Sequence, residues 1–241
     1  MMAAWHSVRM PRAVWGAISL DRIDPSSWLV VATGLGAALA VVIDGVWRIL
    51  RGVVTITHEA GHAVAALVTG RRLTGIRLHS DTSGLTLSVG KPTGFGMVVT
   101  AAAGYMSPSL VGLAGVGLLA VEQVTVMLWT AAAALVAMLV MVRNWYGALS
   151  LLVTGGVVVG ISLYGTDDVQ AVFAYAMTWF LLIGGVRPVG ELRRQRRHQP
   201  GAPTDADILA RLTRVPGSVW VALFGVVTLG SLGTGGWLLL T

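Results

Sequence analysis

Of 241 residues only 12% are charged and 55% are hydrophobic, and so few charges cannot cover a globule in water, where about a quarter of residues carry one. The formal charge of +6 invites a nucleic-acid reading. The basic residues instead sit in short segments between apolar runs, where membrane proteins keep cytoplasmic arginine, so no nucleic-acid partner is expected.

The chain has no cysteine, which excludes disulfides, thiolate metal sites and cysteine nucleophiles; any metal must be held by His, Asp or Glu. Lys91 is the only lysine among 17 basic residues, a bias that fits a GC-rich bacterial genome and hence a bacterial plasma membrane.

Residues 1–27 carry Arg9, Arg12 and Arg22 together with Asp21 and Asp24, too long and mixed for a signal-peptide n-region. They are expected to form a cytoplasmic amphipathic lead-in to an uncleaved first helix. Residues 28–241 then make a single membrane domain, an all-α polytopic protein. Seven apolar runs reach or approach the roughly 20 residues that a helix needs to cross hydrocarbon: 28–43, 47–69, 97–119, 124–142, 146–164, 169–186 and 219–240.

Two segments break this pattern. Over about 72–90, Leu85, Leu87 and Val89 alternate with Thr86 and Ser88 around the turn cluster Asp81-Thr82-Ser83-Gly84, which predicts a small cytoplasmic β-hairpin. Residues 187–216 form a basic cytoplasmic loop, whose Asp205-Ala-Asp-Ile-Leu-Ala-Arg-Leu stretch has the spacing of a short amphipathic helix. Counting basic residues by loop puts the N-terminus in the cytoplasm and the C-terminus outside, with Arg48 and Arg51 as exceptions near the outer end of the second span.

Within that second span stands Thr57-His58-Glu59-Ala60-Gly61-His62. On a helix, His58 and His62 project from one face a turn apart and reach one metal ion, while Glu59 is offset to serve a water there. Ionisable groups at that depth are costly in hydrocarbon, about 2.5–3.5 kcal/mol per central charge, which favours a functional role. Zinc lacks a third protein ligand in this set. Asp167, Asp168 and Asp44 fall toward the outer side, and Glu191 and His198 read as a solvated charge run. Asp205 and Asp207 remain, and the physics of the sequence does not choose between them.

His58-Glu59-Ala60-Gly61-His62, the Thr69-Gly70-Arg71 exit, the hairpin and Ala103-Gly104-Tyr105-Met106-Ser107-Pro108 resemble the M50B-like branch of the site-2 protease family. So do Arg143-Asn144-Trp145-Tyr146-Gly147 and Thr204-Asp205-Ala206-Asp207 followed by Pro216 and Trp220. The resemblance implies zinc-dependent hydrolysis of membrane-anchored proteins near the cytoplasmic leaflet. It assigns His58, His62 and Asp205 as ligands of Zn2+ and Glu59 as the catalytic base.

Better-known members carry their aspartate in an Asn-Pro…Asp-Gly segment, which this chain lacks. Asn144 answers to the Asn half, as an oxyanion or substrate contact or as a helix-start Asn, and Ile43-Asp44-Gly45 is a decoy. The edge of the hairpin would pair with an unwound substrate. The alternative is a non-catalytic membrane assembly or regulatory subunit on the same scaffold, and either form leaves room for a regulatory membrane partner. A transporter is disfavoured because no internal repeat is present.

Overall fold

The structure, a computed structural model, describes residues 27–198 and 204–241; apart from Ser27, the expected lead-in lies outside the described residues. The described residues form helices α1 (Ser27–Val42), α2 (Asp44–Val68), α3 (Phe95–Ala120), α4 (Val124–Met141), α5 (Trp145–Tyr164), α6 (Asp167–Gly184), α7 (Val186–His198), α8 (Asp205–Thr213) and α9 (Gly217–Leu240). Strands β1 (Arg72–Leu78) and β2 (Gly84–Val89) lie between α2 and α3. The hairpin and the short amphipathic helix before the last span both form where the sequence places them. The first part of the expected basic loop, however, is helix α7.

Among the described residues, five stretches are long and apolar enough to cross a membrane, or six if the bent pair α1–α2 counts as one crossing. The seven expected spans are therefore not reproduced. The difference lies at Ile43, where the chain turns by 103° between α1 and α2. Arg187 builds this corner: its guanidinium donates to the Val41 carbonyl, freed where α1 ends, and to the Asp44 carboxylate in the first turn of α2. An acid there also favours the helix start. Trp47 packs beneath, with the Arg187 and Arg51 guanidinium carbons 5.0 and 5.8 Å from its ring centre. Glu191 accepts from Trp47 Nε1 at 3.3 Å and from Arg51 at 3.1 Å.

These contacts correct the expected sidedness. Asp44 and Arg51 do not face away from Glu191 and Arg187; they touch them. Helix α1 runs parallel to α6, since Val30 accepts from Trp179 Nε1 and Val41 from Arg187. Helix α9 runs antiparallel to the succession α6–α7, with Gly217 beside Arg196 of α7 and Gly236 beside Trp179 of α6. Ser27 and Leu240 therefore lie at the same end, not on opposite sides as the loop charges suggest. Of the 17 basic residues, Arg9, Arg12 and Arg22 precede the described part; the rest follow the α1–α2 corner, on α2, the hairpin, the α4–α5 junction, α7 and α8.

Helix α3 links the two halves. Its first half lies antiparallel to α2, with Gly96 near Thr69 and Ser107 donating to the Thr57 carbonyl at 2.9 Å. Its second half lies against α6, with Gly112 near Leu182 and Gly115 near Thr178, and Pro108 sits at the changeover. Such small-residue contacts let helix backbones approach where no hydrophobic force acts between helices. Large apolar side chains such as Leu35, Val140, Val153 and Val226 face outward, as a lipid-facing surface requires.

The hairpin pairs Ile76 with Thr86 and Leu78 with Gly84. The outer edge of β1 is occupied: Arg143 N donates to the Ile76 carbonyl at 2.8 Å, and the Asn144 side chain bonds both Leu78 N (3.2 Å) and Leu78 O (2.6 Å). Ile76 and Leu78 also pack into a cluster with Ile56, Ala63, Met138 and Leu151. β2 is left as an edge strand. Replacing Asn144 by Ala should loosen the hairpin by about 1 kcal/mol, the usual net value of a hydrogen bond, visible as faster amide exchange at Leu78 with the helices unaffected. Unchanged exchange there would remove the clamp from Asn144.

Candidate metal centre

His58 and His62 stand on α2 with Nε2 atoms 3.1 Å apart. The Asp205 Oδ2 atom lies 3.4 Å from His58 Nε2 and 3.3 Å from His62 Nε2. Two bonds of about 2.0–2.1 Å at a tetrahedral angle separate ligand atoms by about 3.3–3.4 Å, the spacing expected around zinc. The two edges to Asp205 match that spacing and the edge between the imidazoles, at 3.1 Å, is slightly shorter; among the described residues this is the group of His and acid side chains able to hold a metal ion.

The donor chemistry fits as well. His62 Nδ1 lies 2.7 Å from the Thr100 carbonyl, which can only accept, so the neutral ring carries its proton on Nδ1 and leaves the Nε2 lone pair for a metal. The His58 ring is held edge-on by Tyr105 at 4.8 Å, and Tyr105 is stacked on Phe224. A Cβ at position 104 would lie 2.6 Å from His58 Nε2 and closer still to His62 Nε2. Gly104 thus gives α3 the space to pass the imidazoles.

Asp205 owes its position to a helix start. Thr204 caps α8, its hydroxyl accepting from Asp207 N, while the Asp207 carboxylate accepts from Thr204 N, a reciprocal capping box. Ala206 and Leu209 bury the other face of α8 against Ala101, Leu192, Val221 and Phe224. That leaves Asp205, the first residue of the helix, turned to the histidines.

Asp207 is committed elsewhere, with Arg196 Nη2 2.8 Å from Oδ1. Burial alone would raise the Asp207 carboxyl, but the Thr204 hydrogen bonds and the Arg196 charge outweigh it and hold it below the usual carboxylate range.

Glu59 is 3% exposed and lines the same cleft as the triad. Its Oε2 accepts from the Thr86 hydroxyl at 2.6 Å, and a Cβ at position 84 would come within 2.6 Å of Glu59 Cγ and Cδ. The cleft has a volume of about 560 Å³ and runs along one face of α2 from Trp47 to His62, walled by the hairpin on one side and by Pro188, Gln195 and Ile208 on the other.

A family model described as Peptidase M50B-like matches residues 31–235. The chain belongs to this family. No curated protein and no solved structure matches it. Within this M50B-like chain, four expectations about individual residues can be placed. Asp205, not Asp207, stands with His58 and His62. Asn144 stands at the N-cap position of α5 but makes no side-chain cap bond; it spends both polar side-chain atoms on the Leu78 backbone and does not line the cleft of the triad. Asp44 pairs with Arg187. Glu191 is no solvated charge; it is clasped by Trp47, Arg51 and Arg187.

Thr86, Gly84, Thr100 and Tyr105 also stand at the site, though nothing in the sequence marks them as neighbours of the triad or of Glu59. Thr100 contributes only a carbonyl, which no side chain advertises. Gly84 and Thr86 were legible as turn and strand but not as neighbours of Glu59.

Proposed function

We propose that this protein is a zinc-dependent endopeptidase that hydrolyses peptide bonds of membrane-anchored proteins near the cytoplasmic leaflet of a bacterial plasma membrane. The observation that carries this reading is the triangle of His58, His62 and Asp205 ligand atoms at zinc spacing, in one cleft with the buried Glu59. Arg51 in the cleft wall, and the arginine-rich α7 whose Pro188 and Gln195 also line it, support a cytoplasmic placement of that end. Both Ser27 and Leu240 then lie toward the outside.

His58, His62 and Asp205 would hold the zinc, which when bound would supply Lewis acidity toward a water and a substrate carbonyl. Glu59, whose side chain is no member of the ligand triangle, takes the water's proton and returns it to the departing amine. The β2 edge, with Gly84, Leu85, Thr86 and Ser88 lining the cleft, offers backbone groups to a substrate strand. A helical substrate must unwind to use them, because its own carbonyls are already bonded.

Purified in nanodiscs, the protein should carry one zinc per chain and cut a membrane-anchored test substrate. Chelation should stop the cutting, and added Zn2+ should restore it. Cleavage that continues at full rate in metal-free protein would refute the proposal. Substrate-independent binding to a membrane partner, with no cleavage, would favour the regulatory-subunit alternative.

A further inference from the structure

The strand that lines the cleft also holds the carboxylate that the chemistry needs. Thr86 Oγ1 lies 2.6 Å from Glu59 Oε2 and 3.2 Å from the Glu59 backbone carbonyl. A hydroxyl has one proton to donate, and a separation of 2.6 Å is at the short end of the O–H···O range. A carboxylate 3% exposed requires such a partner, since an unpaired buried charge is costly.

The same strand is shaped around Glu59 a second time. Gly84, two residues earlier and on the same face, leaves the space that any Cβ would take from Glu59 Cγ and Cδ. Thr86 itself cannot drift, because it pairs with Ile76, which is 1% exposed and bonded to Arg143 across the other edge of β1.

We propose that Thr86 is a positioning residue: its hydroxyl fixes the Glu59 carboxylate from the strand that receives the substrate. Substrate laid along β2 and the proton-carrying group are thereby aligned by one element. This rests on the protease reading above. Thr86 acts through Glu59 and touches neither the histidines nor Asp205, so it sets turnover and leaves metal binding alone.

Thr86→Val keeps the β-branched shape and removes the hydroxyl; Thr86→Ser keeps the hydroxyl. The valine variant should lose about 10–100-fold in kcat, the range for a lost supporting partner, with KM and zinc content unchanged. The serine variant should recover most of that loss. A second measurement is independent of turnover. Thermal shifts of Glu59→Ala, Thr86→Val and the double variant should be non-additive, because each single change removes the same bond.

Wild-type kcat in Thr86→Val, a serine variant as slow as the valine one, or additive thermal shifts would each overturn the proposal. Normal cleavage by Glu59→Gln would instead sink the protease role of Glu59, and the thermal cycle would then still decide whether the Thr86 bond exists.

Discussion

Glu59→Gln should abolish cleavage while the zinc stays bound. The glutamine amide keeps the size of the side chain and an oxygen that accepts from Thr86, so the packing against Gly84 is preserved. What disappears is the capacity to take and return a proton, a contribution of about 10²–10⁴-fold in rate for a positioned acid–base group. Metal binding should be untouched, because the triangle of His58, His62 and Asp205 is complete without Glu59. Folding should not suffer either, since the change removes a charge from a site 3% exposed. Turnover and zinc content measured on one preparation separate the outcomes. Loss of zinc together with activity would make Glu59 a ligand. Retention of both would leave it without a chemical role.

The paired histidines were legible because i and i+4 on a helix share a face whatever surrounds them. The hairpin was legible because alternation over 85–89 has no helical explanation. The count of seven spans is not reproduced because of a corner set from far away: Arg187 joins Val41 to Asp44 across 146 and 143 residues of sequence, and no local pattern encodes that.

The same long-range packing turned Glu191 from a solvated acid into the clasp of Trp47 and Arg51. The choice between Asp205 and Asp207 did leave a local trace. Thr204-x-x-Asp207 is a helix-start pattern in which the residue at the fourth place bonds back to the cap. Read that way, it assigns Asp207 to the helix start and leaves Asp205 free. The family resemblance reached the same residue by position.

Asp205→Ala should strip the centre of its metal, and Asp207→Ala should not. The two acids are two residues apart on α8, yet only Asp205 has an oxygen 3.3–3.4 Å from both imidazoles. Without it two nitrogens remain, and neutral imidazoles on one helix face do not replace a directly bonded carboxylate. Zinc affinity should therefore fall by more than the 10–100-fold that loss of an outer-shell partner costs.

Asp207→Ala breaks the capping box with Thr204 and the contact with Arg196. It should cost about 0.5–2 kcal/mol of stability, as cap losses do, and lower Tm at near-wild-type zinc affinity. Competition against a chelator of known strength, run beside thermal unfolding, reads both quantities for each variant. The two variants should be mirror images: Asp205→Ala poor in metal with α8 intact, Asp207→Ala replete in metal with α8 frayed. Equal zinc affinity in Asp205→Ala and wild type would move the third ligand off α8, leaving His58 and His62 to find a partner that the folded cleft does not display.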